Sequence, residues 1–290
     1  MPAAAPPLEP LSRRLLQAAG VLSLLLILVV VNSLLNSGSD SPFNPNPVAA
    51  AAERTQAVPG MRMNMTMRVS SESTPPVTVV GKGVYNGADN LAEITYDGTT
   101  AQGQRMRFDA ILGEDAWYFR YPQLAGQMPE GKEWIKLEGF PGQEDMSAPT
   151  AGGPDESLRM LQVAGDVHRV GPARIGGAQT TRYRLTMSPE GLVRGLQAQG
   201  KDELAEQIEQ AAPQMVGPVH AEVFITDAGM LRRMRTVSTE LSDGKAVTTE
   251  VRADLFDFGI APEIAVPDDS RVYELGPEVE EQLEALGQSS

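Results

Sequence analysis

Four methionines alternate in the stretch MRMNMTMRVS: Met61, Met63, Met65 and Met67, with Val69 continuing the series. Thioethers are soft ligands that select Cu(I), so the pattern first raises metal chemistry. On one strand, however, alternate side chains stand about 6.6 Å apart, twice the rise per residue. The sulfurs would surround an ion only by leaning together. The chain has no cysteine, and its two histidines, His168 and His220, lie far from the run and from each other. Two further readings share the same period. One is a plain core face. The other is the wall of an apolar cavity, where an unbranched, polarizable side chain adapts to varied partners. Val or Ile would suit a tightly packed strand better, which turns attention to the cavity.

No other residue pattern carries chemistry. A nucleophile elbow, a phosphate loop, an H-E-x-x-H pair and a dinucleotide fingerprint are all absent. Acidic neighbours such as Glu144–Asp145, or Asp254 and Asp257, fall at loop and strand-end positions and read as solvated surface. The triplet Asn64-Met65-Thr66 fits a glycosylation sequon but lies mid-strand. The expectation is a protein that is not an enzyme and that holds no metal or cofactor. A formal net charge of −14 argues against nucleic acid as a partner, because a phosphate backbone demands basic patches.

The elements that would position the methionines are mostly strands. An alanine-rich helix, VAAAAERTQAV (48–58), is stopped by Pro59-Gly60. The methionine strand follows at about 61–71. Then come VTVVGKGVY (77–85) and LAEITYD (91–97), the latter read as closed by an Asp97-Gly98 turn. QRMRFDAIL (104–112) puts Met106, Phe108, Ala110 and Leu112 on one face and Arg105, Arg107 and Asp109 on the other. DAWYFRY (115–121) and EWIKLEG (133–139) complete this half. After a Gly/Pro-rich loop (139–157) and a short helix, ESLRMLQVA, two strands flank the Gly176-Gly177 turn. A helical insertion starts at Ser188-Pro189, a cap residue followed by proline at the first helical position. Three more strands follow through the Asp227–Gly229 and Asp243-Gly244 turns. Sequential strands with hairpin turns and no βαβ alternation predict an α+β fold, a single curved antiparallel sheet of about ten strands. Such a sheet curls, and its apolar face needs cover from few helices.

The N-terminus reads separately. Residues 15–35 are apolar and long enough to cross a bilayer core. Arg13 and Arg14 precede them, and no Lys or Arg follows until Arg54, which places the remainder outside the cytoplasm. The expected organisation is a cytoplasmic N-terminus (1–14), a transmembrane signal anchor (15–35), a linker (36–47), an extracytoplasmic domain (48–275) and an acidic tail (276–290). Cleavage of the anchor remains an alternative.

In order, these parts resemble the LolA/LolB-like lipoprotein carrier superfamily, and within it LppX/LprG-type lipoproteins. The resemblance rests on the alanine-rich helix before the first strand and on the pair DAWYFRYPQ…KEWIKLEG. It rests also on VHRVGPARIGGAQTTRYRLTM before the helical insertion, the hairpin VFITDAGMLRRMR, and LFDFGIAPEIAVP, which looks like a closing strand ending in Pro267. It implies a half-barrel capped by helices, with a hydrophobic cavity for lipid or acylated ligands in the cell envelope. Related folds sense and bind a membrane protein partner, the alternative function. The chain lacks the lipidated cysteine of LppX/LprG-type proteins, and the transmembrane segment would replace it as the membrane attachment. Read by alternation, the ligand-binding wall is Met63, Met65, Met67, Ile94, Met106, Phe108, Trp117 and Phe119.

Overall fold

The computed structural model describes residues 47–72, 75–99, 103, 105–113, 116–122, 128–137, 167–198, 202–242 and 244–274. Their centre is one open, curled sheet of twelve strands in the order β12-β6-β5-β4-β3-β2-β1-β11-β10-β9-β8-β7. The strands are β1 (Gly60–Ser71), β2 (Val77–Asn86), β3 (Leu91–Thr99), β4 (Arg105–Leu112), β5 (Trp117–Arg120) and β6 (Trp134–Leu137), then β7 (Val167–Ile175), β8 (Ala178–Met187), β9 (Val219–Thr226), β10 (Leu231–Ser242), β11 (Lys245–Phe256) and β12 (Val272–Glu274). Every pairing is antiparallel except that of β12 with β6. Three helices accompany the sheet: α1 (Pro47–Gln56), α2 (Pro189–Ala198) and α3 (Asp202–Ala211). The β6–β7 connection joins strands near opposite edges, while β1 and β11, near the two ends of the domain's sequence, pair at the centre.

Hairpin chemistry sets most of the order. Gly176 and Gly177 take φ of +55° and +84° in the β7–β8 turn, and Gly229 and Gly244 take +77° and +72° in the next two hairpins, a region that glycine enters without steric cost. Register shifts between Arg169 and Gly171 and between Leu231 and Arg233 break the ladders of β7 and β10. Bulges of this kind bend a strand and increase its twist.

Helix α1 is fixed to the sheet by one hydroxyl. Thr55 is fully buried, donates to the Ala51 carbonyl at 2.6 Å and accepts the Leu231 N–H at 2.8 Å. Val48 and Ala51 on the same helix share a core cluster with Met61, Leu231 and Leu255. The α2–α3 pair contributes Leu192, Ala205 and Ile208 to that cluster, with Leu185, Met187, Val219 and Ala221. Ser188 caps α2 as its sequence predicts, its Oγ accepting the Gly191 N–H at 3.1 Å.

Four sequence expectations need correction. The sheet has twelve strands rather than about ten; β12 is only three residues long and carries no alternation to detect. Asp97-Gly98 is not a turn: β3 runs on to Thr99, and Gly98 pairs with Val79 and Met106. Glycine sits there because a Cβ would lie 3.0 Å from the Val79 side chain. The segment DAWYFRY forms a strand only over Trp117–Arg120. The closing strand stops at Phe256 rather than Pro267. Beyond it the chain passes the end of β1 and β2, where Asn86 donates to the Pro262 carbonyl at 2.9 Å. It then lays Ile264 against Ile111, Trp134 and Val272 in a small second cluster. The 15–35 segment, the ESLRMLQVA helix and the C-terminal PEVEEQLEAL helix lie outside the described residues. No helix among the described residues is long and apolar enough to cross a membrane.

Replacing Thr55 with valine keeps its shape, removes both hydrogen bonds and strands the Leu231 amide. We expect a loss of about 1–3 kcal/mol in denaturant-derived stability, with Thr55→Ser retaining most of it.

Candidate functional site

The strand registers place the alternating apolar residues in rows that run across several strands on one face. One row runs Tyr183, Val223, Met234, Ala253, Met65, Gly81, Tyr96, Phe108. The next toward the far strand ends passes through Val251, Met67, Val79, Gly98 and Met106. On the other side lies Leu255, Met63, Gly83, Ile94, Ala110, Phe119 and Ile135, and then Met61, Tyr85, Ala92, Leu112 and Trp117. All eight sequence-predicted wall residues therefore share this inner face, with Arg62, Asn64, Thr66 and Arg68 on the opposite, outer face.

Burial divides the face in two. Met61 is fully buried, Met63 and Met65 are nearly so, and Met67 is half-buried. The methionine strand thus runs from a closed end beside α1 to an open end. Ile94 and Trp117 are buried, whereas Met106, Phe108 and Phe119 are half-buried. Among the described residues, α1 packs beside β9 and β10, and Leu192, Ala205 and Ile208 of the α2–α3 pair share the buried core cluster of this face. The inner face of β3–β5 carries instead a ladder of rings. Tyr96 stacks on Phe108 at 4.6 Å, Phe108 on Tyr121 at 5.2 Å, and Tyr121 on Phe119 at 6.4 Å; Trp117 meets Phe119 edge-on at 6.5 Å.

Glycine makes room for the ladder. A Cβ on Gly81 would lie 2.9 Å from the Tyr96 ring and 3.2 Å from Ile94. With hydrogen there, the ring lies flat over β2 and reaches Met65, whose sulfur accepts the Tyr96 hydroxyl at 3.8 Å. The Tyr96 and Tyr121 hydroxyls stay neutral. Burial pushes the Tyr121 pKa up to about 12, and Tyr96 is raised further by burial and by the neighbouring Tyr121. Across β1–β5 the four rows therefore present rings, thioethers, aliphatic side chains and neutral hydroxyls. Sequence reasoning missed Tyr96 and Tyr121. Tyr96 continues the alternation of Ala92 and Ile94, so its place was available from period two alone.

The methionine geometry matches no metal centre by spacing, and no group of three His, Asp or Glu able to hold a metal ion occurs among the described residues. The outer-face acids are held by arginines. For Asp109, burial pushes its carboxyl up, but Thr95 at 2.7 Å and Arg120 at 2.8 Å hold it below the usual carboxylate range.

No family model matches the chain. It is 26% identical over 183 residues to a Streptomyces coelicolor protein provisionally named as a lipoprotein; the match covers 52% of this chain and 64% of that protein's length. Among solved structures it is similar to the lipoprotein LppX of Mycobacterium tuberculosis, with 11% identity, 76% of this chain and 96% of that chain covered, and a TM-score of 0.41. It is similar also to LprF of Mycobacterium bovis, with 13% identity, coverage of 82% and 96%, and a TM-score of 0.37. A LolA superfamily protein of Nitrosomonas europaea gives 9% identity, coverage of 78% and 97%, and a TM-score of 0.28. Lipoproteins of the LppX type and a LolA superfamily protein are thus among the proteins this chain is similar to.

Raised tyrosine pKa values have a measurable sign. Above pH 10 the unfolded tyrosines ionise while Tyr96 and Tyr121 remain protonated. Stability is therefore full below pH 10 and falls as the pH rises toward about 12 and beyond. Ultraviolet titration should show two late-ionising tyrosines, and the double substitution Tyr96→Phe plus Tyr121→Phe should abolish that late phase.

Proposed function

We propose that this chain is a membrane-anchored extracytoplasmic domain that binds, or hands on, lipids or acylated molecules along the inner face of its sheet, without catalysing a reaction on them. The supporting observation is the half-buried strip of Met67, Tyr96, Met106, Phe108, Phe119 and Tyr121, continuous with a buried core. An acyl chain laid along this strip would bury about 0.8 kcal/mol of favourable transfer energy per methylene, part of which offsets the cost of association. Methionine and stacked rings tolerate chains of differing length and unsaturation, because neither imposes a fixed hydrogen-bond pattern. The anchor at 15–35 would hold the domain beside its lipid source, favouring local extraction and hand-off over long-range shuttling.

Mass spectrometry of the protein purified from its own host tests this reading. Acyl lipid should accompany the wild-type protein. Met67→Glu plus Phe108→Glu should reduce it about tenfold or more, since each buried carboxylate must be desolvated against the chain. Both positions are half-buried, so the melting temperature should fall only modestly. A lipid-free protein that also fails to bind an acyl probe would contradict the proposal, and a membrane protein recovered in lipid's place would favour sensing.

A further inference from the structure

The outer face reverses the charge of the chain. The protein as a whole carries −14. On the outward positions of β8–β11, β1 and β2, the registers bring together eight cationic side chains against four carboxylates, counting Asp257 just past β11. Seven of the eight cations are arginines.

Depth sets two of the carboxylates apart from the outermost arginines. Glu222 and Asp254 are recessed, with side chains 15% and 16% exposed, while Arg184, Arg252 and Arg62 stand out at 53%, 45% and 56%. Arg68 and Lys82 are exposed as well. Glu222 alone serves three guanidinium groups, those of Arg182, Arg184 and Arg235, and Asp254 serves Arg233 and Arg252. Glu222 and Asp254 therefore lie beneath the guanidinium groups they orient, whereas Glu250 and Asp257, 38% and 57% exposed, stand level with Arg235 and Arg62. Burial pushes Glu222 up, but Arg182 and its neighbours hold it ionised.

We infer that this face docks on anionic phospholipid headgroups. Six strands at about 4.8 Å spacing make the patch roughly 24 Å wide, the scale of a headgroup layer rather than of a point ligand. Guanidinium groups match phosphate oxygens in a two-pronged geometry that ammonium groups lack. The inference rests on the reading of residues 15–35 as an anchor, which would bring the face within reach of a bilayer. Docked this way, the domain turns its apolar inner face away from the membrane plane, leaving it open to a partner or to the next carrier.

The cysteine-free sequence permits a direct test on the full chain. A donor dye is placed at Thr78→Cys, on the outer face beside Arg68, or at Asp202→Cys on α3 as a control. The chain is reconstituted in vesicles with an acceptor-labelled headgroup, made of phosphatidylcholine alone or with phosphatidylglycerol. Energy transfer from position 78 should rise about twofold with phosphatidylglycerol, and the rise should vanish in about 1 M salt, where the screening length is roughly 3 Å. It should vanish also in the triple variant Arg68→Gln, Lys82→Gln, Arg252→Gln, which leaves Asp254 paired with Arg233. Transfer from position 202 should not rise. Equal transfer in both lipids from a chain that floats with both overturns the docking face alone. A chain that floats with neither overturns the anchor and the face together. A rise that persists in salt, or an equal rise with acceptor-labelled polyglutamate in the absence of acceptor-labelled lipid, overturns lipid docking, the latter in favour of an acidic protein partner.

Discussion

A sheet that is apolar on one face must bury that face, and among the described residues no second sheet does so. The sheet's inner surface is rich in methionine, aliphatic and aromatic side chains, and the described helices that accompany it are short. The rest of the structure follows from that imbalance. Helix α1 packs beside β9 and β10, and the α2–α3 pair adds Leu192, Ala205 and Ile208 to the buried core. The stacked rings on β3–β5 cover one another in part, so the apolar surface that stays available is concentrated on one side of the sheet.

The outer face obeys a different rule. Its arginines and carboxylates form cross-strand pairs, such as Arg233–Asp254 and Arg235–Glu250, that hold neighbouring strands in register without a hydrophobic layer. Exposed pairs of this kind contribute little individually. Their consequence is specificity: a slip by one residue would push the methionines outward and the arginines inward. The same alternation thus fixes both the apolar strip and the cationic layer.

Much of this was legible in the sequence. Met61–Met67 and Met106–Leu112 alternate so cleanly that their inward faces follow from period two, and the glycine turns at 176–177, 229 and 244 announce their hairpins. Other features were not. Asp97-Gly98 has the composition of a turn, and only the close approach of Val79 explains why glycine lies within a strand. β12 is too short for any periodicity, and its parallel partner β6 is far away in sequence. Trp117 and Ile94 were predicted as wall residues with Met67 and Phe108. The structure shows that the first two are packed and the last two are half-buried, a distinction that period two does not carry.

Methionine methyl resonances offer the most direct test of the central claim. A spin-labelled fatty acid added to protein carrying 13C-methyl methionine should broaden Met67 and Met106 strongly, Met65 less, and leave Met61 sharp. Broadening confined to methionines outside the inner face, or none at all at saturating ligand, would contradict the assignment of this strip as the site where an acyl chain lies.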